Sequence, residues 1–360
     1  MTRDAVLLSY RLGSADGVSV EAAKWEGALG ALGFSVRHVA GELPDTGRTD
    51  DIVLPWLAWE PPPGAGPEPD ALSAALSGAD LVVVENLCSL PLNPVAARAT
   101  AAALDEHVGR VLFHHHDLPW QRTQFAAVTD LPPDRPGSLH VTINDRSRRE
   151  LATRGIRAYT VHNAFDVDGP PGDRAATRAA LGFGDGEVVV LQPTRAIPRK
   201  DVPGGLRLAE AVGELLPERS VRYWLTGPAE DGYGPTLERV LAQATVPVIQ
   251  GRAASTADAY AAADAVVFPS TWEGFGNPVI ESVIARRPLA VAHYPVLDEI
   301  RALGFEFFSV DAPRPMVEWL RAPDPAVLAT NHGIARRHFS LADLPGRLEA
   351  AFGAVGWSTW

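Results

Sequence analysis

The chain of 360 residues contains one cysteine, fewer cations than acids, and no long apolar run. The lone Cys88 excludes an intramolecular disulfide and any zinc site built from several cysteines. Lysine and arginine number 32 against 44 acidic residues, and the net charge of −12 disfavours broad binding to nucleic acid or anionic lipid. No apolar stretch approaches the roughly 20 residues that a transmembrane helix needs, and the first residues lack the features of a signal peptide. We therefore expect a cytoplasmic protein without a transmembrane segment and without nucleic acid as a partner.

Short aliphatic and β-branched runs alternate with longer amphipathic segments, which is the pattern of strand–helix units around a parallel sheet. In the first half, we predict strands at Ala5–Ser9, Ser35–Val39, Leu81–Val84, Val111–His114, His140–Ile143 and Tyr159–Val161. The second half repeats the pattern at Val188–Gln192, Arg222–Leu225, Val246–Ile249, Ala265–Phe268, Leu289–Ala292 and Glu306–Phe308. At about 150 residues per domain, the length fits two domains. The predicted fold class is α/β, with two Rossmann-like doubly wound domains.

A turn-rich stretch, Asp166–Asp173, separates the two halves and contains two prolines and two glycines. Because such a stretch continues neither a helix nor a strand, we interpret it as a linker. The predicted domains are residues 1–168 and 169–340. Residues 341–360 form the last segment, and its amphipathic helix is expected to run from about residue 339 to Phe352. If the two doubly wound halves face a central cleft, ligands bind there at the carboxyl ends of the strands.

Two glutamates, Glu273 and Glu281, lie around a glycine-containing turn that follows a predicted strand. Asn277 is a favourable N-cap and Pro278 fits the first helical position, so we expect a helix to begin here with Glu281 in its first turn. The free N–H groups at such a helix start favour an anion. The two carboxylates are suited to accept hydrogen bonds from sugar or ribose hydroxyls beside a bound phosphate. An acidic first turn that complements the helix dipole would explain Glu281 alone.

A basic loop with Arg195, Arg199 and Lys200 follows the predicted strand Val188–Gln192. Arginine binds phosphate with two parallel hydrogen bonds, and lysine acts as a mobile point charge. In an acidic chain this loop forms a local positive site, with a solvated surface loop as the alternative.

A run of three histidines and an aspartate, His114 to Asp117, ends another predicted strand. His114 and His116 share one face of that strand, but no third ligand of suitable spacing follows, so we expect no metal site. A histidine beside a carboxylate can instead orient a substrate hydroxyl. His114 and His115 can equally be core histidines whose hydrogen bonds are satisfied within the protein.

The string from Glu273 to Glu281, Glu-Gly-Phe-Gly-Asn-Pro-Val-Ile-Glu, resembles the E-x7-E signature of retaining GT-B glycosyltransferases of family 4, the group 1 glycosyl transferases. The resemblance implies that Glu281 binds the nucleotide ribose and that Glu273 approaches the hydroxyls of the transferred sugar. It also implies backbone contacts from Phe275, Gly276 and Asn277 to the sugar and phosphates. Asn277 replaces an apolar residue that is common in the family.

Looser similarities extend from about residue 8 to residue 340. The Arg195-x4-Lys200 spacing resembles the family's diphosphate-binding pair, and His116 matches a His-Asp motif whose histidine contacts the donor sugar. By the same resemblance, further donor contacts are expected from Gly17, Thr226, Gly227 and Arg252, and Asp117 is expected to orient the loop or the acceptor. The loop from Trp120 to Pro136 is expected to shape the acceptor pocket, with acceptor contacts from Trp120, Gln121 and Arg122. Gly13 is a weaker candidate in the loop that contains Gly17.

These features predict a hexosyltransferase that moves a hexose, with retention, from a UDP- or GDP-sugar to a soluble hydroxyl acceptor. Catalytic roles are expected for His116, Glu273, Arg195 and Lys200, without a metal or other cofactor. A nucleotide-sugar epimerase on the same fold and a non-catalytic nucleotide-sugar-binding protein stay open as alternatives. A nicotinamide dehydrogenase is disfavoured because the dinucleotide glycine fingerprint is missing. The acidic surface favours a soluble acceptor, since family members that act on anionic lipids carry basic surfaces.

Overall fold

A computed structural model describes residues 3–14, 16–45 and 47–357 of the chain. The chain divides into two compact units, the first formed by Met1–Ala164 with Leu341–Trp360 and the second by Phe165–Ser340. The boundary therefore lies after residue 164, where the sequence pattern placed it after residue 168.

The first unit is built on a parallel sheet of seven strands within the described residues, in the order β3-β2-β1-β4-β5-β6-β7. The strands are β1 Arg3–Arg11, β2 Phe34–Glu42, β3 Ile52–Val53, β4 Leu81–Glu85, β5 Arg110–His115, β6 Leu139–Thr142 and β7 Ala158–Thr160. Helices cover the sheet: α1 Gly17–Ala31, α2 Pro69–Leu76, α3 Pro94–Asp105, α4 Asp145–Ala152 and, after the second unit, α13 Leu344–Ala354.

Both faces of this sheet are buried, which explains why its central strands read as continuous apolar runs. On one face, Leu7 and Leu81 pack with Trp25 of α1 and with Leu348 and Phe352 of α13. On the other face, alternate residues of the same strands pack against α2 and α3. The last helix of the chain is thus part of the core of the first unit.

The second unit contains a parallel sheet of six strands within the described residues, in the order β10-β9-β8-β11-β12-β13. The strands are β8 Val188–Gln192, β9 Val221–Leu225, β10 Val248–Gln250, β11 Ala265–Phe268, β12 Leu289–Val291 and β13 Phe308–Ser309. The helices are α5 Arg174–Leu181, α6 Val202–Leu215, α7 Gly234–Leu241, α8 Thr256–Ala262, α9 Asn277–Ile284, α10 Leu297–Arg301, α11 Pro313–Arg321 and α12 Pro325–Phe339. The predicted fold class is confirmed for both units.

Two details of the prediction were wrong. The edge strand β3 has two residues and was not predicted, because so short a segment carries no periodicity. The last helical stretch is not continuous from residue 339: α12 ends at Phe339, a short 3-10 turn spans Leu341–Asp343, and α13 begins at Leu344. Among the helices of the described residues, none has the length and apolar character needed to cross a membrane.

Candidate functional site

The loops after β8, β9 and β11 lie next to one another in the second unit because these strands are neighbours in its sheet. The loop after β8 carries Arg195, Arg199 and Lys200, and the loop after β11 carries Glu273. The backbone N–H of Thr271 donates to the carbonyl of Arg199 at 2.9 Å, which ties the two loops together. Parallel strands therefore bring the basic loop and the first glutamate of the E-x7-E string to one edge.

A buried ion-pair cluster forms where these two loops meet. Lys200 Nζ donates to Glu273 Oε1, and Arg199 Nη1 donates to Glu273 Oε2 at 2.9 Å. Lys200 and Glu273 are each only 7% exposed. Arg199, a weaker candidate from the sequence, also donates to the carbonyl of Trp272 at 3.1 Å. Two cations thus hold one carboxylate at the carboxyl ends of β8 and β11.

The pKa values of this cluster move in the directions that burial and charge require. Burial raises the pKa of Glu273, but the charges of Lys200 and Arg199 outweigh it and leave that pKa below its ordinary value. Burial lowers the pKa of Lys200 although Glu273 opposes the shift. The carboxylate therefore stays ionised at neutral pH and accepts hydrogen bonds.

Arg195 forms no ion pair with Glu273 among the contacts found in the described residues and instead contacts the loop after β9, although its charge helps to lower the pKa of Lys200. Its Nη1 donates to Glu230 Oε2 at 2.6 Å, and both side chains are about two-fifths exposed, 41% and 39%. Gly227 N donates to the carbonyl of Thr194 at 3.1 Å, and Thr226 N donates to that of Gln192 at 3.3 Å. A Cβ on Gly227 would overlap the backbone of Thr194 and Arg195. The glycine is required for the close approach of two loops, one of which presents Arg195.

The buried amide of Gln192 organises the basic loop from inside. Its Nε2 donates to Thr194 Oγ1 at 3.1 Å and to the carbonyl of Lys200 at 2.9 Å. Its Oε1 accepts from the hydroxyl of Tyr223 at 2.5 Å. Because both ends of the loop bond to one side chain, the positions of Arg195 and Lys200 are coupled.

The glycine turn before α9 has a left-handed residue at its centre. Gly276 has φ +95°, and a Cβ there would overlap the hydroxyl of Tyr294. That hydroxyl donates to the carbonyl of Phe275 at 3.0 Å. The Phe275 ring is buried against Phe165 and Phe339, with centroids 6.2 and 5.6 Å away. The Phe275 side chain is therefore part of the core of the second unit, and its carbonyl is held by Tyr294.

Two expectations about this helix start were wrong. Gly276 is the N-cap, and Asn277 is already the first helical residue, because a left-handed glycine ends the turn one position earlier than expected. Glu281 consequently lies beyond the first turn of α9, which contains no acidic residue. Its placement is not explained by complementing the helix dipole in the first turn.

Glu281 is held by a tyrosine and lines a cavity. The hydroxyl of Tyr260 donates to Glu281 Oε2 at 2.7 Å. The cavity has a volume of about 570 Å³ and is also lined by the linker from Phe165 to Gly172 and by Arg286 and Arg287. Among the described residues, its lining does not include Glu273, Arg195 or Lys200. The structure thus places the two glutamates of the string in different surroundings within the second unit.

Arg252 is exposed in the loop that follows β10. The residue before it is fixed by backbone contacts: Gly251 N donates to the carbonyl of Leu225 at 3.1 Å, and Trp224 Nε1 donates to the carbonyl of Gly251 at 2.8 Å. The loop is therefore anchored to the end of β9, close in the chain to Thr226.

In the first unit, a carboxylate from the neighbouring strand joins the histidine run. Glu85 ends β4 and pairs in register with His114 of β5. Its Oε2 is 2.8 Å from His114 Nδ1 and 3.1 Å from His116 Nε2. No third ligand of suitable spacing follows the histidines in the chain, but a neighbouring strand supplies a third group, and ligand atoms of the three residues lie within 4.8 Å of one another.

His115 is a core histidine, as one interpretation of the sequence allowed, and it is paired with a second buried histidine, His140. His115 bonds Ser89 Oγ at 2.5 Å and His140 Nδ1 at 2.9 Å. Burial lowers the pKa of His115 well below its ordinary value, with neighbouring histidines adding to the shift. Burial also lowers the pKa of His140 to about 4.

We expect the first unit to lose stability as the pH falls from 6.5 towards 4. Neutral His140 stabilises the fold fully above about pH 6.5, and the contribution disappears towards its folded pKa because the unfolded chain binds the proton first. A shift of this size corresponds to about 3 kcal/mol. Urea unfolding across this range measures the slope. His140→Asn should reduce this slope, with a remainder from the buried His115, whereas replacement of the exposed His293 should leave it unchanged. An unchanged slope in His140→Asn would contradict this origin.

The remaining first-unit candidates are held by other side chains. Asn86 Oδ1 accepts from the backbone N–H of His116 at 3.0 Å and of Asp117 at 3.2 Å. Asp117 accepts from Arg122 Nη2 at 2.8 Å. Trp120 donates to Glu150 at 2.8 Å. Asp117 and Arg122 are thus brought together, while Trp120 is turned towards α4.

The glycine loop after β1 is shaped by an aspartate. Asp16 is the N-cap of α1, and its side chain accepts from Val18 N at 3.0 Å and Ser19 N at 3.1 Å. Gly17 is the first helical residue, and a Cβ there would meet open space. Gly13 has φ +73° and packs against Pro44, so it is the glycine that this turn itself requires.

Sequence reasoning missed several polar residues that hold the candidates. They are Glu85, Asn86, Gln192, Glu230, Tyr260 and Tyr294. Glu85 and Gln192 each end a buried apolar strand, and a polar residue in that position was the available signal. No sequence signal pointed to Tyr294 and Tyr260, since their hydrogen-bond partners lie 19 and 21 positions away in the chain.

Comparisons with known proteins show which sequences this chain is similar to. Residues 197–306 match the sequence model of the family described as "Glycosyl transferases group 1". A mannosylglucosylglycerate synthase of Thermotoga maritima is 27% identical over 365 residues, covering 84% of each chain. One of Petrotoga mobilis is 24% identical over 382 residues, covering 84% of this chain and 86% of that protein.

Solved glycosyltransferases share the fold over nearly the whole chain. Anabaena HepE in complex with UDP and glucose superposes with a TM-score of 0.75 at 17% identity, covering 98% of this chain and all of that one. Sucrose-phosphate synthase of Thermosynechococcus elongatus gives 0.74 at 16% identity, with 99% and 100% coverage. Residues 197–306 thus match the model of the group 1 glycosyl transferases, two synthases are similar to most of the chain, and the solved glycosyltransferases show that the fold is GT-B.

Proposed function

We propose that this glycosyltransferase moves a hexosyl group from a nucleoside diphosphate sugar to a hydroxyl of a small acceptor, with retention at the anomeric carbon. The observation that carries the proposal is the buried cluster of Lys200, Arg199 and Glu273 beside the start of α9. Cations and the N–H groups of a helix start suit a diphosphate, and an ionised carboxylate beside them suits sugar hydroxyls.

In this scheme the bond between the anomeric carbon and the diphosphate oxygen breaks as charge develops on the diphosphate. Arg195, Lys200 and the backbone N–H groups near Asn277 stabilise that charge. The acceptor oxygen forms the new bond on the same face of the sugar, and its proton passes to the departing phosphate oxygen. Glu273 orients the sugar, and Glu281 binds the ribose of the donor.

The relatives narrow the substrates to be tried first. Their name describes a product that contains mannose, glucose and glycerate. We therefore propose a mannosyl or glucosyl donor, carried by GDP or UDP, and a small glucosylglycerate-like acceptor.

The test incubates the protein with GDP-mannose or UDP-glucose and glucosylglycerate and follows the product by NMR. An anomeric coupling constant that shows the configuration of the donor supports retention. Inverted configuration contradicts the mechanism, and an isomerised donor in the absence of acceptor supports the epimerase. An absence of transfer and hydrolysis with every donor contradicts the proposal and supports a binding protein.

Replacing Glu230 with glutamine is expected to tighten donor binding about threefold at low salt. Glu230 holds Arg195 at 2.6 Å, so a donor diphosphate must compete with this carboxylate. The pair is exposed, so the effect is small and should fade as salt rises. Calorimetric titration with UDP at two salt concentrations measures it. Weaker UDP binding by Glu230→Gln would contradict the competition.

A further inference from the structure

Three polar side chains at the carboxyl ends of β4 and β5 lie together inside the first unit. Glu85 pairs in register with His114, so the two side chains project from the same face of the sheet. The ring of His116 lies 4.4 Å from that of His114, centroid to centroid. The three residues are almost fully buried, with exposed fractions of 0%, 1% and 6%. The proposed mechanism uses none of them.

The distances among these side chains suit shared binding of one metal ion. Glu85 Oε2 lies 2.8 Å from His114 Nδ1 and 3.1 Å from His116 Nε2, and ligand atoms of all three lie within 4.8 Å of one another. Zinc bonds to nitrogen and carboxylate oxygen are about 2.0 to 2.2 Å long, so two ligand atoms on one ion lie about 2.9 to 3.4 Å apart. Small movements of the side chains therefore suffice to admit an ion.

One oxygen of the carboxylate has no hydrogen bond. Among the described residues, Glu85 Oε1 is buried without a partner. A carboxylate oxygen removed from water is costly unless a donor or a cation faces it. An unsatisfied buried polar atom in a native structure calls for an explanation such as a bound ion. A cation held by the carboxylate and the two imidazoles supplies that explanation.

Neighbouring residues hold the two imidazoles in place. The His114 ring stacks on Trp25 with centroids 4.0 Å apart, and its Nε2 has no hydrogen-bond partner among the described residues, so Nδ1 is the nitrogen that faces the cluster. The backbone N–H of His116 donates to Asn86 Oδ1 at 3.0 Å. Ligands that are held before an ion binds lose little freedom when it does, which favours binding.

The donor set determines the class of ion. Two imidazole nitrogens and one carboxylate select a first-row transition metal over Mg²⁺ or Ca²⁺, which prefer oxygen ligands. Zinc sites with two histidines and one glutamate keep a fourth position for water. We propose that Glu85, His114 and His116 bind one Zn²⁺ ion, which ties β4 to β5 in the first unit. This site replaces the expectation from the sequence that no metal binds, and it is independent of the proposed function.

Metal binding is measured on the full chain without an affinity tag, after treatment with a chelator and dialysis. Calorimetric titration with Zn²⁺ should show one equivalent bound per chain at micromolar concentrations. With zinc at 100 times its dissociation constant, the thermal midpoint should rise by about 5 to 10 °C. Wild-type protein that binds no zinc, or whose midpoint does not rise, overturns the proposal.

Variants test which side chains bind the ion. Glu85→Gln and His116→Gln should each weaken zinc binding about 100-fold or more, since loss of an outer-shell partner alone costs about 10- to 100-fold. Glu21→Gln and His140→Asn are the matched controls, because they remove another buried carboxylate and another buried histidine. Both controls should bind one equivalent as tightly as wild type. Equal weakening in all four variants would contradict the assignment of the ligands.

X-ray absorption at the zinc edge identifies the ligands in wild-type protein and so does not depend on how well the variants fold. The spectrum should show two imidazoles and oxygen ligands at about 2.0 to 2.2 Å. A sulfur ligand or a single imidazole would exclude the proposed site. The exposed pair of His293 and Asp298 is a possible surface site for zinc. Loss of binding in His293→Gln would place the ion there and show that the proposal is wrong.

Discussion

Replacing Lys200 with methionine is expected to lower the rate of sugar transfer by about 10² to 10³-fold, because the proposed mechanism loses a cation that stabilises the leaving diphosphate. The same change leaves Glu273 buried with Arg199 as its remaining cation. Breaking a buried ion pair from one side costs about 3 kcal/mol or more. The single variant is therefore expected to lose stability as well as activity.

The paired variant Lys200→Met/Glu273→Gln separates these two effects. Because both charges are removed together, most of the lost stability should return. Transfer should stay as low as in the single variant or fall further. Urea unfolding and initial rates with saturating donor measure the two quantities. A paired variant that regains transfer would show that Lys200 acts only by stabilising the fold.

Arg321 provides a surface control for the same measurements. It donates to Glu218 at 2.7 Å, and the two side chains are 47% and 50% exposed. Since an exposed pair is screened by water, Arg321→Met should leave both unfolding and transfer near the wild-type values.

Replacing Gly276 with alanine is expected to lower transfer by about 100-fold, because a shift of about 1 Å in the groups that hold a substrate has an effect of that size. The residue has φ +95°, and its added Cβ would overlap the hydroxyl of the fully buried Tyr294. The tyrosine cannot move without releasing the carbonyl of Phe275. The turn must therefore shift, together with the backbone N–H groups at the start of α9.

Gly304→Ala is the matched control for backbone strain. Gly304 has φ +103°, similar to Gly276, but its added Cβ would meet only Ile334 Cδ1 at an ordinary 3.5 Å. Left-handed strain of about 1 to 2 kcal/mol applies to both variants. Thermal midpoints should thus fall in both, while transfer falls only in Gly276→Ala. Equal losses of transfer would show that strain, rather than the position of the turn, controls activity.

Much of the fold could be predicted because its signals are local. The buried run Val188–Gln192 and the apolar face of α9 are visible in consecutive residues, and the strands predicted from such runs are found within a few positions. The helix start at residue 277 was predicted one position late, because the left-handed conformation of Gly276 depends on Tyr294 packing against it.

The candidate site was predicted less completely, for a related reason. The strings around Glu273 and Lys200 identified a carboxylate and two cations, but not that Arg199 and Lys200 both bind that carboxylate. Such contacts join residues 73 and 74 positions apart, and a local pattern in the sequence cannot predict contacts over that separation. The same holds for Glu85 and its histidines, which come from neighbouring strands.

The order of strands and helices, the two-domain organisation and the chemical types of the site residues are thus properties of the linear chain, because they depend on local patterns of polarity, glycine and proline. The partner of each charged group is not. The partner of a charged group depends on which strands lie side by side. The hydrogen bonds between Glu85 and His116, Tyr260 and Glu281, and Arg195 and Glu230 therefore form only once the sheets have formed. These contacts determine the protonation and orientation of the site residues, since burial and neighbouring charge exist only in the folded chain.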